Sequence, residues 1–216
     1  MRVLLTRLGR DQSGAAMVEF TIVVFFFLVL TGGVVEFALG WYQWNSASKA
    51  LQQGVRLASV SDPVASDLIN MTGLEGSAIP GDPMPSFLRV CNGATQTCTN
   101  GGTYSTSAMN TIVYGRGQTT CGTFGPDGFA GMCDIFDRIQ PQNVIITYQH
   151  TGLGFAGRPG AAGRPGGAVP TITIELIDLE YNYAFLSGLL GLGPITLPPM
   201  RTTATGEDLA TIADGT

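Results

Sequence analysis

The strongest pattern lies near the N-terminus, where Phe20 to Val35 reads FTIVVFFFLVLTGGVV, sixteen residues without a charge. Glu36 interrupts the run, and Phe37 to Trp44 resumes it with Trp41, Tyr42 and Trp44, rings suited to a membrane–water boundary. Sixteen residues fall short of the roughly 20 needed to cross about 30 Å of hydrocarbon. Taken from Ala15 to Trp44, however, thirty residues at about 1.5 Å each give about 45 Å, a bilayer with its headgroups. The pattern predicts one spanning helix. Beyond it, Ala47, Ala50, Leu51, Gly54, Val55 and Ala58 recur at helical spacing, with Ser48, Lys49, Gln52, Gln53 and Arg56 on the other side. Ser61-Asp62-Pro63 ends the pattern. A single helix from about Asp11 to Val60 is expected, about 75 Å long, half in lipid and half a stalk with a seam of small residues.

Charge gives the arrangement a direction. Residues 1–14 carry Arg2, Arg7 and Arg10 against Asp11; residues 15–60 are neutral; residues 61–216 hold six Arg against thirteen acids. A basic head before a span keeps the N-terminus in the cytoplasm and sends the rest across the membrane. A cleavable secretory signal would have an apolar core of about 7–15 residues and then a small-residue cut site. Here the apolar segment is longer and runs on into aromatic and helical sequence. The overall charge of −5 argues against nucleic acid as a partner, since a binder needs a basic face to meet phosphates.

Two acids sit where an isolated anchor has no use for them: Glu19 just inside the span and Glu36 near its far end. A carboxylate at a helix centre costs about 2.5–3.5 kcal/mol on insertion scales, less near an interface. Either both snorkel to the interfaces or each meets a partner when helices assemble. A cut after Gly14 would make Ala15 a new ammonium terminus, an unfavourable charge for the positive end of the macrodipole. Glu19, one turn on, would neutralise it in the same helix or on a neighbour.

Residues 14–60, with GAAMVEF, then GGVVEF, then ASKALQQGVRLASV, resemble the TadE-like family of tight-adherence (Tad) pilus proteins. The resemblance implies a pseudopilin or minor pilin of bacterial type IV pilus assembly, cut by a prepilin peptidase between Gly14 and Ala15. It assigns helix assembly to Glu19, Phe20 and Glu36. The implied partners are that peptidase, other pilin-like chains, the Tad inner-membrane assembly proteins and the lipid bilayer. The implied location is the inner membrane, single-pass, with a periplasmic C-terminal domain. A weaker likeness lies in the tail Thr202-Thr203-Ala204-Thr205-Gly206-Glu207. The alternative is a membrane-anchored extracytoplasmic binding domain unconnected with pili.

The chain thus divides into a basic leader (1–14), a membrane and stalk helix (15–60) and an extracytoplasmic domain (61–216). That domain holds Cys91, Cys98, Cys121 and Cys133. Spacings of C-x6-C and C-x11-C do not suit zinc knuckles, and an even count beyond the membrane reads as disulfides. Three pairings are possible; Cys91–Cys98 with Cys121–Cys133 is favoured because each closes a short loop.

Asn143–His150, Thr171–Leu179, and shorter runs at Phe87–Cys91, Thr111–Tyr114 and Met200–Thr205 predict strands; residues 63–71 and the stripe Phe129, Met132, Phe136, Ile139 predict helices. The fold class expected is α+β: one long N-terminal helix and a small antiparallel sheet stapled by disulfides. Between the two best strands, AGRPGA-AGRPGG places Gly157, Gly160, Gly163 and Gly166 at every third position. Four triplets do not make a collagen-like segment, and a mobile hairpin tip displaying Arg158 and Arg164 is expected. Gly152-x-Gly154-x-x-Gly157 satisfies a phosphate-loop spacing, but Pro159 follows where a helix is needed. The segment Leu186, Leu189, Leu190, Leu192, Ile195, Leu197 either folds into the domain core or forms an exposed patch for a partner or membrane surface. With one His (His150), no nucleophile elbow and no P-loop, the sequence points to a non-enzyme without cofactor, metal or small-molecule substrate.

Overall fold

A computed structural model describes residues 13–122, 128–160, 166, 168–206 and 209. Helix α1 runs without a break from Ser13 to Ser59, 47 residues, or about 70 Å at 1.5 Å per residue. The elements that follow are β1 (Leu88–Asn92), β2 (Thr97–Thr99), α2 (Thr106–Tyr114), α3 (Met132–Ile135), β3 (Val144–Gln149), β4 (Thr171–Leu176), β5 (Glu180–Tyr181), α4 (Leu186–Leu190), β6 (Ile195–Thr196) and β7 (Met200–Thr205). The expected class holds: a long apolar N-terminal helix, then an antiparallel α+β domain with two disulfides. The described residues form two compact units, those of 43–180 with those beyond 195, and those up to 42 with 181–195.

The first unit is built on a five-stranded sheet in the order β2-β1-β3-β4-β7, antiparallel throughout. Alternation decides which face is dry. In β4, Ile172, Ile174 and Leu176 are buried, and in β3 Val144, Ile146 and Tyr148 are buried; the residues between them are partly exposed or lie at the strand end. Register places Ile146 beside Ile174 and Tyr148 beside Ile172, so the apolar rows meet across the pair. On the outer face of the β4–β7 pair, Thr173 bonds Thr203 at 3.1 Å.

The small-residue seam of α1 is part of this core. Ala47, Ala50, Leu51, Val55 and Ala58 are buried in the same cluster as Ile146, Ile174, Met109 and Met132. Gly54 lies so close to Met132 that a Cβ there would stand 2.7 Å from Met132 Cγ. What the sequence suggested as a stalk packing on something is therefore the central helix of its own domain. Tyr148, fully buried, accepts a hydrogen bond at its Oη from the Val64 amide at 3.0 Å, which fixes the chain just after α1. Burial raises the Tyr148 phenol above its ordinary value of 10.0.

Several expectations are corrected. Thr111–Tyr114 is not a strand: it ends α2, whose buried Ala108, Met109, Ile112 and Val113 follow helical spacing. Ser105 caps that helix through the Ala108 amide at 3.3 Å. The stripe from Phe129 to Ile139 is helical only over Met132–Ile135, and residues 63–71 hold a short 3-10 turn at Ser66–Asn70. The segment joining β3 to β4 is not simply a projecting tip. Ala156 is fully buried, Phe155 bridges Pro83, and the Gly157 amide bonds Thr72 O at 2.8 Å. Gly163 and Arg164 of its repeat lie outside the described residues.

Candidate assembly helix

In the second unit, the N-terminal part of α1 presents almost nothing but apolar surface. It includes an 18-residue window of mean hydropathy 2.5, long enough with its flanks to cross a membrane. Met17, Phe20, Val23, Phe26 and Leu30 all expose more than half their surface. The hydroxyls on this stretch are satisfied inside the helix: Thr21 donates to Met17 O and Thr31 to Phe27 O, each at 2.8 Å. Such local satisfaction is what a lipid environment demands.

Gly14 and Ala15 lie exposed at the start of α1, and space around the Gly14 Cα is open. Residues 1–12, which hold most of the leader, lie outside the described residues. Glu19 is exposed, and among the described residues no side-chain hydrogen bond or ion pair reaches its carboxylate. Phe20 beside it is 70% exposed.

Glu36 is different. It is buried, and its donors come from the same chain. Tyr181 Oη donates to Oε2 at 2.6 Å; the Leu186 amide donates to Oε1 at 2.9 Å, and the Phe185 amide donates to the same oxygen. Gly32, Glu36 and Gly40 stand at i, i+4 and i+8 on one face of α1. The glycines make room: a Cβ at Gly32 would collide with the Phe185 ring, and one at Gly40 would stand 3.8 Å from the Tyr181 ring. The sequence singled out Glu36, and Leu186 within an apolar segment, but nothing in it linked Glu36 to Tyr181, Phe185 or Leu186, which bond it. The available signal was the uncharged run from Tyr181 to Met200. The choice left open for Leu186–Leu197 is also resolved in large part. Leu190 and Leu192 are exposed, at 50% and 41%, and Leu197 packs against the core.

The cysteines sit in the sheet unit. Cys91 and Cys98 face each other across β1 and β2 and are bonded, and Cys121 is bonded to Cys133. Asp134 ties the second loop: its carboxylate accepts from the Gly122 amide at 2.7 Å and the Gly131 amide at 2.8 Å. No group of three His, Cys, Asp or Glu side chains able to hold a metal occurs among the described residues. Two clefts flank β7, of about 280 and 830 Å³, and their described walls combine α1 residues such as Ser48 and Gln53 with Met200 and Thr205. Among the described residues, neither wall contains a His or a carboxylate. Of the weak tail likeness, Thr202–Thr205 fall within β7, while Glu207 lies outside the described residues.

Comparison with known proteins bears on the helix alone. Residues 14–56 match the family model described as TadE-like protein. The resemblance read from GAAMVEF and the following helix is thus shown over that segment, about a fifth of the chain. No curated protein and no solved structure matches the chain.

Proposed function

We propose that this chain with a TadE-like N-terminal segment is a pseudopilin or minor pilin of a Tad-type pilus, a structural protein whose α1 packs with the α1 helices of other pilin-like chains. A prepilin peptidase cuts between Gly14 and Ala15, removing the leader with its three Arg. Until then the helix anchors the chain in the inner membrane, N-terminus in the cytoplasm. The disulfide-bearing domain lies in the periplasm, where such bonds persist. The partners are the peptidase, the Tad inner-membrane assembly proteins and neighbouring pilin-like helices. No catalytic step is assigned to any side chain.

One observation carries the reading: within the TadE-like segment, Glu19 is an exposed acid on an apolar helix, without a partner among the described residues. An acid in that position is costly in lipid unless it is paired. The ammonium of Ala15, on the same or an adjacent helix, supplies the counter-charge. Losing one member of a buried pair costs about 3–5 kcal/mol, enough to stop assembly. Glu19→Gln should therefore abolish surface pili while membrane insertion, measured by fractionation, stays normal. Normal piliation in that variant would refute the assembly role and favour the anchored binding domain.

A further inference from the structure

We infer that Phe185–Ile195 is a second membrane element, an apolar loop immersed in the outer leaflet beside α1 and held there by Glu36. The inference rests on the reading of α1 as a membrane anchor. The uncharged run between Glu19 and Glu36 is sixteen residues, about 24 Å of helix, shorter than the hydrocarbon of about 30 Å. With the run centred on the bilayer, all of it lies within the hydrocarbon. Gly32 is one turn inside Glu36, and the Phe185 ring packs directly against it. A side chain touching α1 at that level is at membrane depth.

The composition and exposure of the loop agree. No Asp, Glu, Lys or Arg occurs from Tyr181 to Met200. Phe185, Leu190, Leu192 and Ile195 expose 41–50% of their surface. That surface belongs to the same compact unit as the apolar part of α1. Water would penalise it; acyl chains would cover it.

The backbone is prepared for the same solvent. Non-helical chain is tolerated at membrane depth only where its polar groups find partners. The first amides of α4 have no acceptor within so short a helix, and the Glu36 carboxylate takes those of Phe185 and Leu186. Ser187 Oγ donates to Tyr183 O at 2.8 Å at the same end, and at the other end the Gly191 amide donates to Ser187 O at 2.9 Å. An acid within the apolar helix is thereby explained without a second chain.

The test uses the full chain in phosphatidylcholine–phosphatidylglycerol vesicles, with a nitroxide on one introduced cysteine. Leu190→Cys and Leu192→Cys probe the loop, Val34→Cys the span, and Thr97→Cys the aqueous domain. Accessibility to oxygen against a water-soluble nickel chelate reports depth. Labels at 190 and 192 should favour oxygen several-fold over the label at 97, approaching the label at 34. Nickel access at 190 and 192 equal to that at 97, with 34 in lipid, would overturn the loop alone. Protection from both reagents would overturn it in favour of contact with a second copy. Nickel access at 34 would overturn the anchor and the loop together. In Glu36→Ala the label at 190 should shift several-fold toward nickel, and an unchanged depth would overturn the holding role of Glu36.

Discussion

Gly54 offers the sharpest test of whether the second half of α1 is core. A side chain there points at Met132, which is fully buried. Replacing Gly by Leu gains about 0.8–1 kcal/mol of helix propensity. Overpacking by even a methylene or two costs about 1–3 kcal/mol, and here a Cβ alone would stand 2.7 Å from Met132 Cγ and 3.2 Å from its Cε. With three further carbons the steric cost wins, and Gly54→Leu should lose at least about 2 kcal/mol. Met132→Ala alone should lose about 2–5 kcal/mol through the cavity it leaves. Together they should be less harmful than their sum, by about 1–3 kcal/mol, because the new leucine fills the space vacated. The assay is denaturant unfolding of the full chain in detergent, followed by near-ultraviolet circular dichroism. Strict additivity, or a Gly54→Leu variant as stable as the parent, would refute the packing of α1 against α3.

Two further stability predictions follow from the sheet unit. Tyr148→Phe leaves the buried Val64 amide without its acceptor and should cost about 1–3 kcal/mol. Because burial holds the Tyr148 proton on in the folded state, its contribution is complete below the ordinary phenol value of 10.0 and is lost as pH rises above it. The parent should thus lose stability above that pH more steeply than Tyr148→Phe; parallel pH profiles of the unfolding midpoint would contradict this. Reducing the disulfides, which close loops with sequence separations of 7 and 12, should cost about 2–3 kcal/mol each. An unfolding midpoint unmoved by reductant would exclude that contribution.

Legibility in the sequence followed the range of the interactions. Helix α1 was readable because its signals are local: an uncharged run, then an apolar seam at i, i+3 and i+4 spacing. Strands β3, β4 and β7 were readable because Val144–Gln149 and Thr171–Leu176 alternate and Met200–Thr205 is rich in threonine. Helix α2 was misread because Thr111, Ile112, Val113 and Tyr114 favour strands locally, whereas burial of Ala108, Met109, Ile112 and Val113 decided for helix. For Glu36, the acid was conspicuous, but its hydroxyl donor lies 145 residues away on Tyr181. No periodicity connects positions so distant. Composition alone also left Leu186–Leu197 undecided, since core and lipid select the same side chains.

The central claim is that α1 becomes a pilin helix once the leader is removed. Intact-mass and N-terminal analysis of the protein from native membranes tests it most directly. The account predicts a chain beginning at Ala15, and retention of the leader in Gly14→Leu. An intact Met1 terminus in cells with an active prepilin peptidase would contradict it.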